Sequence, residues 1–301
     1  MVQSYPEIAE ELLRGSILRN RILLAKSVHQ RKKEESRLHQ MIYQQRNFRI
    51  NDIQTSPRHH CYGMGLGIII LDEPYPGFPG DTRNASGYPF PIQYEIAEGL
   101  DGKELLFNAD KSAHLEPIQK AAKKLEKIGC RAIAGECGYF AYFQKQIAGY
   151  VDIPVFMSSL LQVPLAQQLI GKHQVVGILV FSKEVLTAVH LESVGIETNS
   201  NYIIEGILES GACPEIINLY MYADAGSRKA NYEKIERELT EFAVDFYRRY
   251  PHMGALLLEC SGTQAFARAI QQAIKLPVFS WGTLLDYAYS VIVHRDYYGH
   301  M

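Results

Sequence analysis

The sequence contains two copies of one 25-residue segment, and this internal repeat limits the architecture more than any other feature. Residues 132–156 align with residues 255–279 at a constant shift of 123 positions, without a gap. Eight of the 25 pairs are identical, whereas about one or two would be expected by chance from ordinary composition. Each copy reads as a buried strand, a Glu-Cys pair, a helix and a strand that begins with Pro-Val-Phe. Two such units predict a chain built from two related α/β halves.

From residue 62 onward, short apolar runs alternate with stretches of helical periodicity. The runs at 65–71, 131–136 and 175–181 have strand length, and helical spacing of apolar residues marks 115–128 and 229–250. This alternation is typical of parallel sheets that are covered by helices on both faces. We therefore predict an α/β fold class with two parallel-sheet domains related by pseudo-twofold symmetry.

The same pattern indicates where the domains divide. We assign residues 59–163 to the first α/β domain, with a C-terminal helix at 281–301 that completes it, and residues 164–280 to the second. Residues 1–58 stand apart as a helical extension, because their net charge is about +5, against about −7 for the rest, and their apolar positions recur at helical spacing. Amphipathic helices of this kind predict docking on the body or on another subunit, and hence a homo-oligomer. A basic helix that binds nucleic acid or a membrane surface is the alternative, and its interspersed glutamates argue against it.

Overall composition excludes several classes of protein. The net charge of −2 predicts no nucleic-acid partner. No apolar run reaches the roughly 18 residues that a membrane span needs, so no membrane partner is expected. The acidic first residues do not read as a signal peptide, and we expect a cytoplasmic protein.

Five cysteines without a CxxC pair argue against both a disulfide framework and a metal site. We therefore predict reduced thiols and no bound metal. The chain also has no GxSxG, Walker or HExxH motif and no dinucleotide fingerprint, so we expect no cofactor.

Cys137 and Cys260 are the residues of the repeat that are best placed for chemistry. Each follows a strand and opens a helix, at the sheet edge where open α/β sheets bind ligands. Backbone N–H groups and the helix dipole at such a turn favour a thiolate. Two thiols that face one cleft can remove a proton from one side of a carbon atom and return one on the other, which inverts a stereocentre without a cofactor. The alternative is that both are inert core residues kept from a duplicated gene.

The backbone N–H groups that follow each cysteine are suited to hold a carboxylate beside a developing carbanion. They belong to Gly138 and Tyr139 in the first copy and to Ser261 and Gly262 in the second. We therefore expect a small-molecule carboxylate as the substrate.

Residues 62–295 resemble the aspartate/glutamate racemase superfamily in GECGYF, in the strand GILVF and in LLLECSGT followed by LPVFSW. That group includes hydantoin racemases, maleate isomerases and arylmalonate decarboxylases. The resemblance implies two flavodoxin-like domains with the active site between them, an acid/base pair at Cys137 and Cys260, and carboxylate binding by the backbone after each cysteine, Thr263 included. It also implies a substrate contact from a small hydroxyl residue at the end of the second half's first strand, a place that Ser182 fits.

The residues after the two cysteines differ from the Asn-Thr and Thr-His pairs that are typical of the amino-acid racemases, so the sequence leaves the substrate open. The loop at 79–84 looks like one in other members of the superfamily, and it follows the first strand, where it can form a wall of the site. Arg83 is a candidate partner for a second carboxylate or a phosphate, and Asn84 for a hydrogen bond to the substrate. A plain turn shaped by Pro, Gly and Asp is the alternative.

Glu136 and Glu259, which precede the two cysteines, are the least expected feature. A carboxylate beside a thiol raises the pKa of that thiol. Strand alternation favours glutamate side chains that point away from the cysteines into a hydrogen-bond network. The alternative is that they face the cleft, where they would bind a substrate amine or transfer a proton.

The leading hypothesis is a cofactor-independent racemase or epimerase of a small α-substituted carboxylate, an amino acid or a related compound, that works by two-cysteine proton transfer. One alternative is an isomerase or decarboxylase on the same scaffold. Another is a non-catalytic small-molecule-binding protein.

Overall fold

The structure, a computed structural model, describes residues 60–222, 226, 228–295 and 297. The helical extension predicted at 1–58 lies outside these residues, as does the end of the helix predicted at 281–301. Both sheets of the protein belong to one compact unit that ends at Ile292.

Two four-stranded parallel sheets form the framework. The first contains β1 (Leu66–Leu71), β2 (Ile92–Ala97), β3 (Ala132–Gly135) and β4 (Val155–Phe156). The second contains β5 (Val175–Val180), β6 (Tyr202–Gly206), β7 (Met253–Leu258) and β8 (Val278–Phe279). The spatial orders are β2-β1-β3-β4 and β6-β5-β7-β8, so the two sheets share one topology. The predicted α/β class with two parallel-sheet halves is confirmed.

Ten α-helices flank the sheets within the described part of the chain. In chain order they are α1 (Gly102–Phe107), α2 (Leu115–Ile128), α3 (Gln144–Ala148), α4 (Val163–Leu169), α5 (Ala188–Ser193), α6 (Ile207–Ser210), α7 (Pro214–Ile217), α8 (Tyr232–Arg249), α9 (Ala267–Ile274) and α10 (Trp281–Ile292). The last helix contacts both β3 and β8, and thus touches both halves. The predicted domain boundaries near residues 163 and 280 stay predictions.

The central strands form where the apolar runs predict them. All residues of β3 and β7 are buried, as expected for strands covered on both faces by helices. The edge strands β2 and β6 mix polar and apolar residues and are only partly buried, so no apolar run marks them in the sequence. Helix α2 ends at Gly129, whose φ of 115° is in the left-handed region that favours glycine.

The two copies of the repeat take equivalent places in the two sheets. Strand β3 lies between β1 and β4, and β7 lies between β5 and β8. A 3-10 turn follows each strand, at Gly138–Phe143 in the first half and at Ser261–Phe266 in the second, before α3 and α9 begin. The sequence predicts one continuous helix from 138 to 148, whereas the structure has a 3-10 turn followed by the short helix α3. The reason is that the glycine and aromatic residues of GYFAYF are weak helix formers. Cys137 and Cys260 directly precede these turns.

Candidate functional site

One cavity receives both cysteines of the repeat. It opens where the chain leaves β3 and β7, and its empty volume, the open mouth included, is about 600 Å³. The residues that line it come from both halves: Leu71, Glu73, Tyr75, Gly102, Lys103, Leu106, Phe107, Glu136, Cys137, Gly138, Tyr139, Phe181, Tyr220, Met221, Glu259, Cys260 and Ser261. The structure therefore brings Cys137, Gly138, Tyr139, Cys260 and Ser261 together, as the sequence predicts for a shared site.

The surroundings of the two thiols, of which Cys260 is buried and Cys137 partly buried, favour the protonated form of each. Burial raises the pKa of Cys137 well above its ordinary value, and the charge of Glu259 raises it further, while the Tyr139 N–H lowers it. Burial and Glu259 likewise raise the pKa of Cys260, against the N–H groups of Gly262 and Thr263. The turn N–H groups lower both pKa values, as expected for a strand–turn–helix unit, but desolvation outweighs them. The net effect at both positions favours the neutral thiol.

Glu136 is held in an ion pair rather than directed at a ligand. Its carboxylate accepts hydrogen bonds from Nε and Nη2 of Arg83, at 2.5 and 2.6 Å, and from the Leu71 N–H at 3.3 Å. Arg83 also donates to the carbonyl oxygens of Glu73 and Leu71, and its guanidinium lies 4.4 Å from the ring centre of Tyr75. Burial lowers the pKa of Arg83, but the Glu136 carboxylate more than offsets this and the net pKa is raised. Arg83 does not line the cavity, and its donors are used inside the protein.

Glu259 occupies the same place in the second copy but lacks such a partner. Its side chain is 0% exposed, and neither carboxyl oxygen makes a hydrogen bond to any residue that the structure describes. Burial raises the pKa of this carboxyl to about 8, and the nearby Phe181 N–H lowers it only in part. Both glutamates of the repeat line the cavity, but they differ in their partners. Glu136 belongs to an ion pair, as in the predicted structural network, whereas the buried carboxyl group of Glu259 has no hydrogen-bond partner among the described residues.

Gly138 is required by the position of Glu259. A Cβ atom at Gly138 would collide with the Glu259 carboxyl group, which lies directly over the glycine from the other half. We expect Gly138→Ala to displace Glu259 into the cavity, lowering kcat/KM at least tenfold and the free energy of unfolding by about 1–3 kcal/mol, as for overpacked cores. Steady-state kinetics and urea denaturation measure both effects.

Gly149→Ala is the matched control for that substitution. Gly149 has helical φ and ψ angles of −81° and −10°, and the nearest atom to its added Cβ would be the Lys145 carbonyl oxygen at 3.4 Å. Its replacement should change the free energy of unfolding by less than about 1 kcal/mol and leave kcat/KM unchanged. Equal effects of the two substitutions would contradict the steric argument.

Tyr139 joins the two halves next to Cys137. Its hydroxyl donates to the Ser182 carbonyl oxygen and accepts from the Ser182 N–H, both at 2.7 Å. The Ser182 hydroxyl donates to Glu209 at 2.5 Å, and Ser182 does not line the cavity. The predicted substrate contact of Ser182 stays a prediction.

The remaining predicted residues support the walls of the cavity. Asn84 caps a turn, with its side chain donating to the Gly77 carbonyl oxygen and accepting from the Ser86 N–H, and it does not line the cavity. The Thr263 hydroxyl donates to the Cys260 carbonyl oxygen at 2.6 Å. Gly262 lies under the Tyr220 hydroxyl, which a Cβ atom at this position would displace.

Aromatic side chains that sequence reasoning missed form much of the wall. Tyr220 makes edge-on contacts with Tyr75 and Phe181, at ring-centre distances of 5.8 and 5.4 Å. It lies in a π-helical turn at Asn218–Tyr222, a rare element that often occurs at functional sites. The available signal is the presence of two aromatic residues in each of the short segments PYPGFPG and NLYMY, which periodicity does not reveal.

An ion pair connects the loop after β1 with the segment before α8. Arg228 bonds Glu73 at 2.6 Å and the Pro74 carbonyl oxygen at 3.2 Å, and both charged side chains are largely buried. Glu73 also accepts from the Gly102 N–H at the start of α1. The charge of Glu73 at the cavity is thus already neutralised.

Two further observations concern metals and membranes. No group of three His, Cys, Asp or Glu residues in the described ranges is arranged to hold a metal ion. No helix among those residues is both long and apolar enough to cross a membrane.

Comparison with known proteins finds relatives of two kinds, although no protein-family profile matches the chain. It is 26% identical over 224 residues to dimethylsulfoniopropionate lyase of Durusdinium sp. clade D, covering 71% of this chain and 70% of the relative. It is 25% identical over 227 residues to dimethylsulfoniopropionate lyase 7 of Emiliania huxleyi (strain CCMP1516), covering 73% of this chain but only 64% of that longer relative.

Among solved structures, allantoin racemase from Pseudomonas fluorescens aligns with a TM-score of 0.50 and 11% identity, over 75% of this chain and 90% of the racemase. The matched architecture is the pair of parallel sheets described above. The chain therefore shares the α/β fold of this racemase, with two parallel sheets flanked by helices.

Proposed function

We propose that this protein is a cofactor-independent enzyme that removes a proton from the carbon next to the carboxylate of a small zwitterionic substrate. On a substrate with a sulfonium group one carbon further on, such as dimethylsulfoniopropionate, the reaction is a β-elimination. The observation that carries the proposal is the meeting of two equivalent thiols, Cys137 and Cys260, in one aromatic-lined cavity. The dimethylsulfoniopropionate lyases to which the chain is similar support this choice of substrate.

The elimination needs a base and a leaving group, and the substrate itself supplies the latter. A thiolate takes the proton from the carbon next to the carboxylate, and the electrons of that C–H bond form a carbon–carbon double bond. The carbon–sulfur bond breaks with its electron pair going to sulfur. The products are acrylate, neutral dimethyl sulfide and a protonated cysteine, so charge and atoms balance without a cofactor.

The aromatic wall suits the sulfonium group. A cation is attracted to the ring faces of tyrosine and phenylalanine, and Tyr220, Phe181 and Tyr139 all line the cavity. The N–H groups of Tyr139 and Gly262 lower the pKa values of the two thiols, and in the same place they would stabilise the charge that develops on a carboxylate.

The substrate cation also offers a reason why buried thiols would react. A positive charge close to an ionisable thiol favours its charged form and lowers its pKa. Cys137 and Cys260 have raised pKa values because of burial and of Glu259. A bound sulfonium opposes both effects, so the thiolate would form when the substrate is in place.

Racemisation is the second candidate function. It is favoured because each half of the protein contributes one thiol to the cavity. In such an arrangement one thiol can remove a proton from one face of a carbon atom while the other delivers a proton to the opposite face. Elimination needs only one base, whereas racemisation needs an acid and a base.

The deciding experiment follows the full-length protein by proton NMR in D2O. With dimethylsulfoniopropionate we expect the vinyl signals of acrylate to appear and dimethyl sulfide to be released. Two outcomes would contradict the elimination by a thiolate. One is that the wild-type protein forms no acrylate, and the other is that the Cys137→Ser/Cys260→Ser double variant forms it at the wild-type rate. Exchange of the α-proton of an enantiopure amino acid, without acrylate formation, would favour racemisation instead.

A further inference from the structure

The repeat places two glutamates in equivalent positions, yet only one of them has a counter-ion. Both carboxyl groups turn toward the end of the first strand of their own half, near the Leu71 N–H for Glu136 and the Phe181 N–H for Glu259. Arg83 neutralises Glu136. No cationic side chain in the described part of the chain bonds Glu259. Only the second copy of the repeat thus has a glutamate without a counter-ion among the described residues.

An unpaired buried carboxyl group is costly to keep. Removing a carboxylate from water without a hydrogen-bond partner or a counter-ion is strongly unfavourable, and such groups in folded proteins usually have an additional role. The pKa of Glu259, raised by burial to about 8, is the expected consequence of this environment. A leucine, which is common at core positions, would avoid that cost, and a glutamine would remove the part of it that is due to charge.

The surroundings of Glu259 favour a cationic ligand. Its charge acts on the two thiols and on the Tyr139 phenol, raising the pKa of all three. None of these groups is a cation, and each is destabilised as an anion by the carboxylate. The aromatic rings of Phe181 and Tyr220 contact each other and line the same cavity. Lys103 also lines the cavity, but it is exposed and does not bond Glu259. The carboxyl group of Glu259 thus lacks a positively charged partner.

We infer that Glu259 is the binding group for the positively charged end of the substrate, an onium group such as a sulfonium or an ammonium. This inference rests on the proposed function, according to which the substrate is a zwitterion with an onium group at one end and a carboxylate at the other. With the cation at Glu259 and the carboxylate at the turn N–H groups, the carbon atoms between them lie beside the thiols. Glu259 thereby determines which carboxylates the protein selects.

A pair of ligands that differ only in charge tests this inference directly. Dimethylsulfoniopropionate and 4-methylpentanoate have the same shape, with a positive sulfur in the first where the second has a neutral CH group. Binding is measured by calorimetry at pH 8.5 in the Cys137→Ser/Cys260→Ser background, which prevents turnover. We expect the sulfonium compound to bind at least about tenfold more tightly, and Glu259→Gln to reduce this preference to within about threefold.

Further variants separate ligand binding from a structural role. Glu259→Asp keeps the charge and should retain part of the preference, and Glu192→Gln, which changes an exposed carboxylate, should retain all of it. Because Glu259 has no partner to lose, Glu259→Gln should unfold at the same temperature as the parent protein or a higher one. A second ligand pair, β-alanine and butanoate, shows whether an ammonium is also accepted.

The results distinguish this inference from the proposed function. Three outcomes would overturn the role of Glu259, even if acrylate forms. They are equal affinity for the charged and neutral ligands, no binding of either ligand, and a preference for the charged ligand that survives in Glu259→Gln. A charge preference that depends on Glu259, without any acrylate formation, would support the binding role and count against the elimination.

Discussion

Replacement by serine of the cysteine that acts as the base, Cys137 or Cys260, is expected to lower kcat by about 10²- to 10⁴-fold, the range that a single proton-transfer group contributes. A loss of this size in both single variants is expected only for racemisation, which needs an acid and a base. Serine is nearly isosteric with cysteine, but its hydroxyl is a far weaker acid than a thiol and does not supply a base at neutral pH. Both thiols line the same cavity and respond to the same carboxylate. We therefore expect the double variant to be little worse than the more affected single variant, since groups that act as one unit are not additive.

Cys61→Ser is the control for this pair, because Cys61 is exposed and lies outside the cavity. It should keep the wild-type kcat. Thermal unfolding checks that the site variants remain folded. Wild-type turnover by either Cys137→Ser or Cys260→Ser would eliminate that thiol as an acid or base, and wild-type turnover by the double variant would eliminate thiol chemistry altogether.

The second large effect concerns stability. Arg83→Met is expected to lower the free energy of unfolding by about 3–5 kcal/mol, because it leaves the buried Glu136 carboxylate without its counter-ion. The substitution also removes the guanidinium that bridges Glu136, two backbone carbonyl groups and the Tyr75 ring. Urea denaturation followed by tryptophan fluorescence is a suitable measurement, since Trp281 is fully buried.

Two further variants define the cause of that loss. Adding Glu136→Gln to Arg83→Met removes the stranded charge and should restore most of the lost stability. Arg249→Met breaks a more exposed pair with Glu205 and should cost no more than about 1 kcal/mol. A small effect of Arg83→Met, or no recovery in the double variant, would show that Glu136 does not depend on the ion pair.

The repeat made the framework of this protein predictable from sequence. Equivalent strand–turn–helix units must occupy equivalent places in two sheets, so the positions of β3, β7 and the two cysteines follow from the alignment of 132–156 with 255–279. The edge strands β2 and β6 were not predictable in the same way. They are half-exposed, and their polar residues hide the apolar pattern that marks a buried strand.

The chemistry of the site was predictable only in part. Sequence indicates that a glutamate precedes each cysteine, but the partner of Glu136 is 53 residues away in a loop, and no periodicity connects the two. The protonation of the thiols depends on how deeply they are buried, which a turn motif does not determine. Tyr220 reaches the cavity from a π-helical turn, an element without a recognisable sequence pattern.

Two hydrogen bonds between Tyr139 and Ser182 hold the two halves together beside Cys137. Because the Tyr139 hydroxyl engages both the N–H and the carbonyl oxygen of Ser182, separating the halves at this point would break two hydrogen bonds beside the reacting groups. The exposed members of the cavity lining, Lys103 and Phe107, both belong to the six-residue helix α1. The solvent-accessible part of the cavity wall therefore lies on one short surface helix, whereas the contact between the halves at Tyr139 is buried.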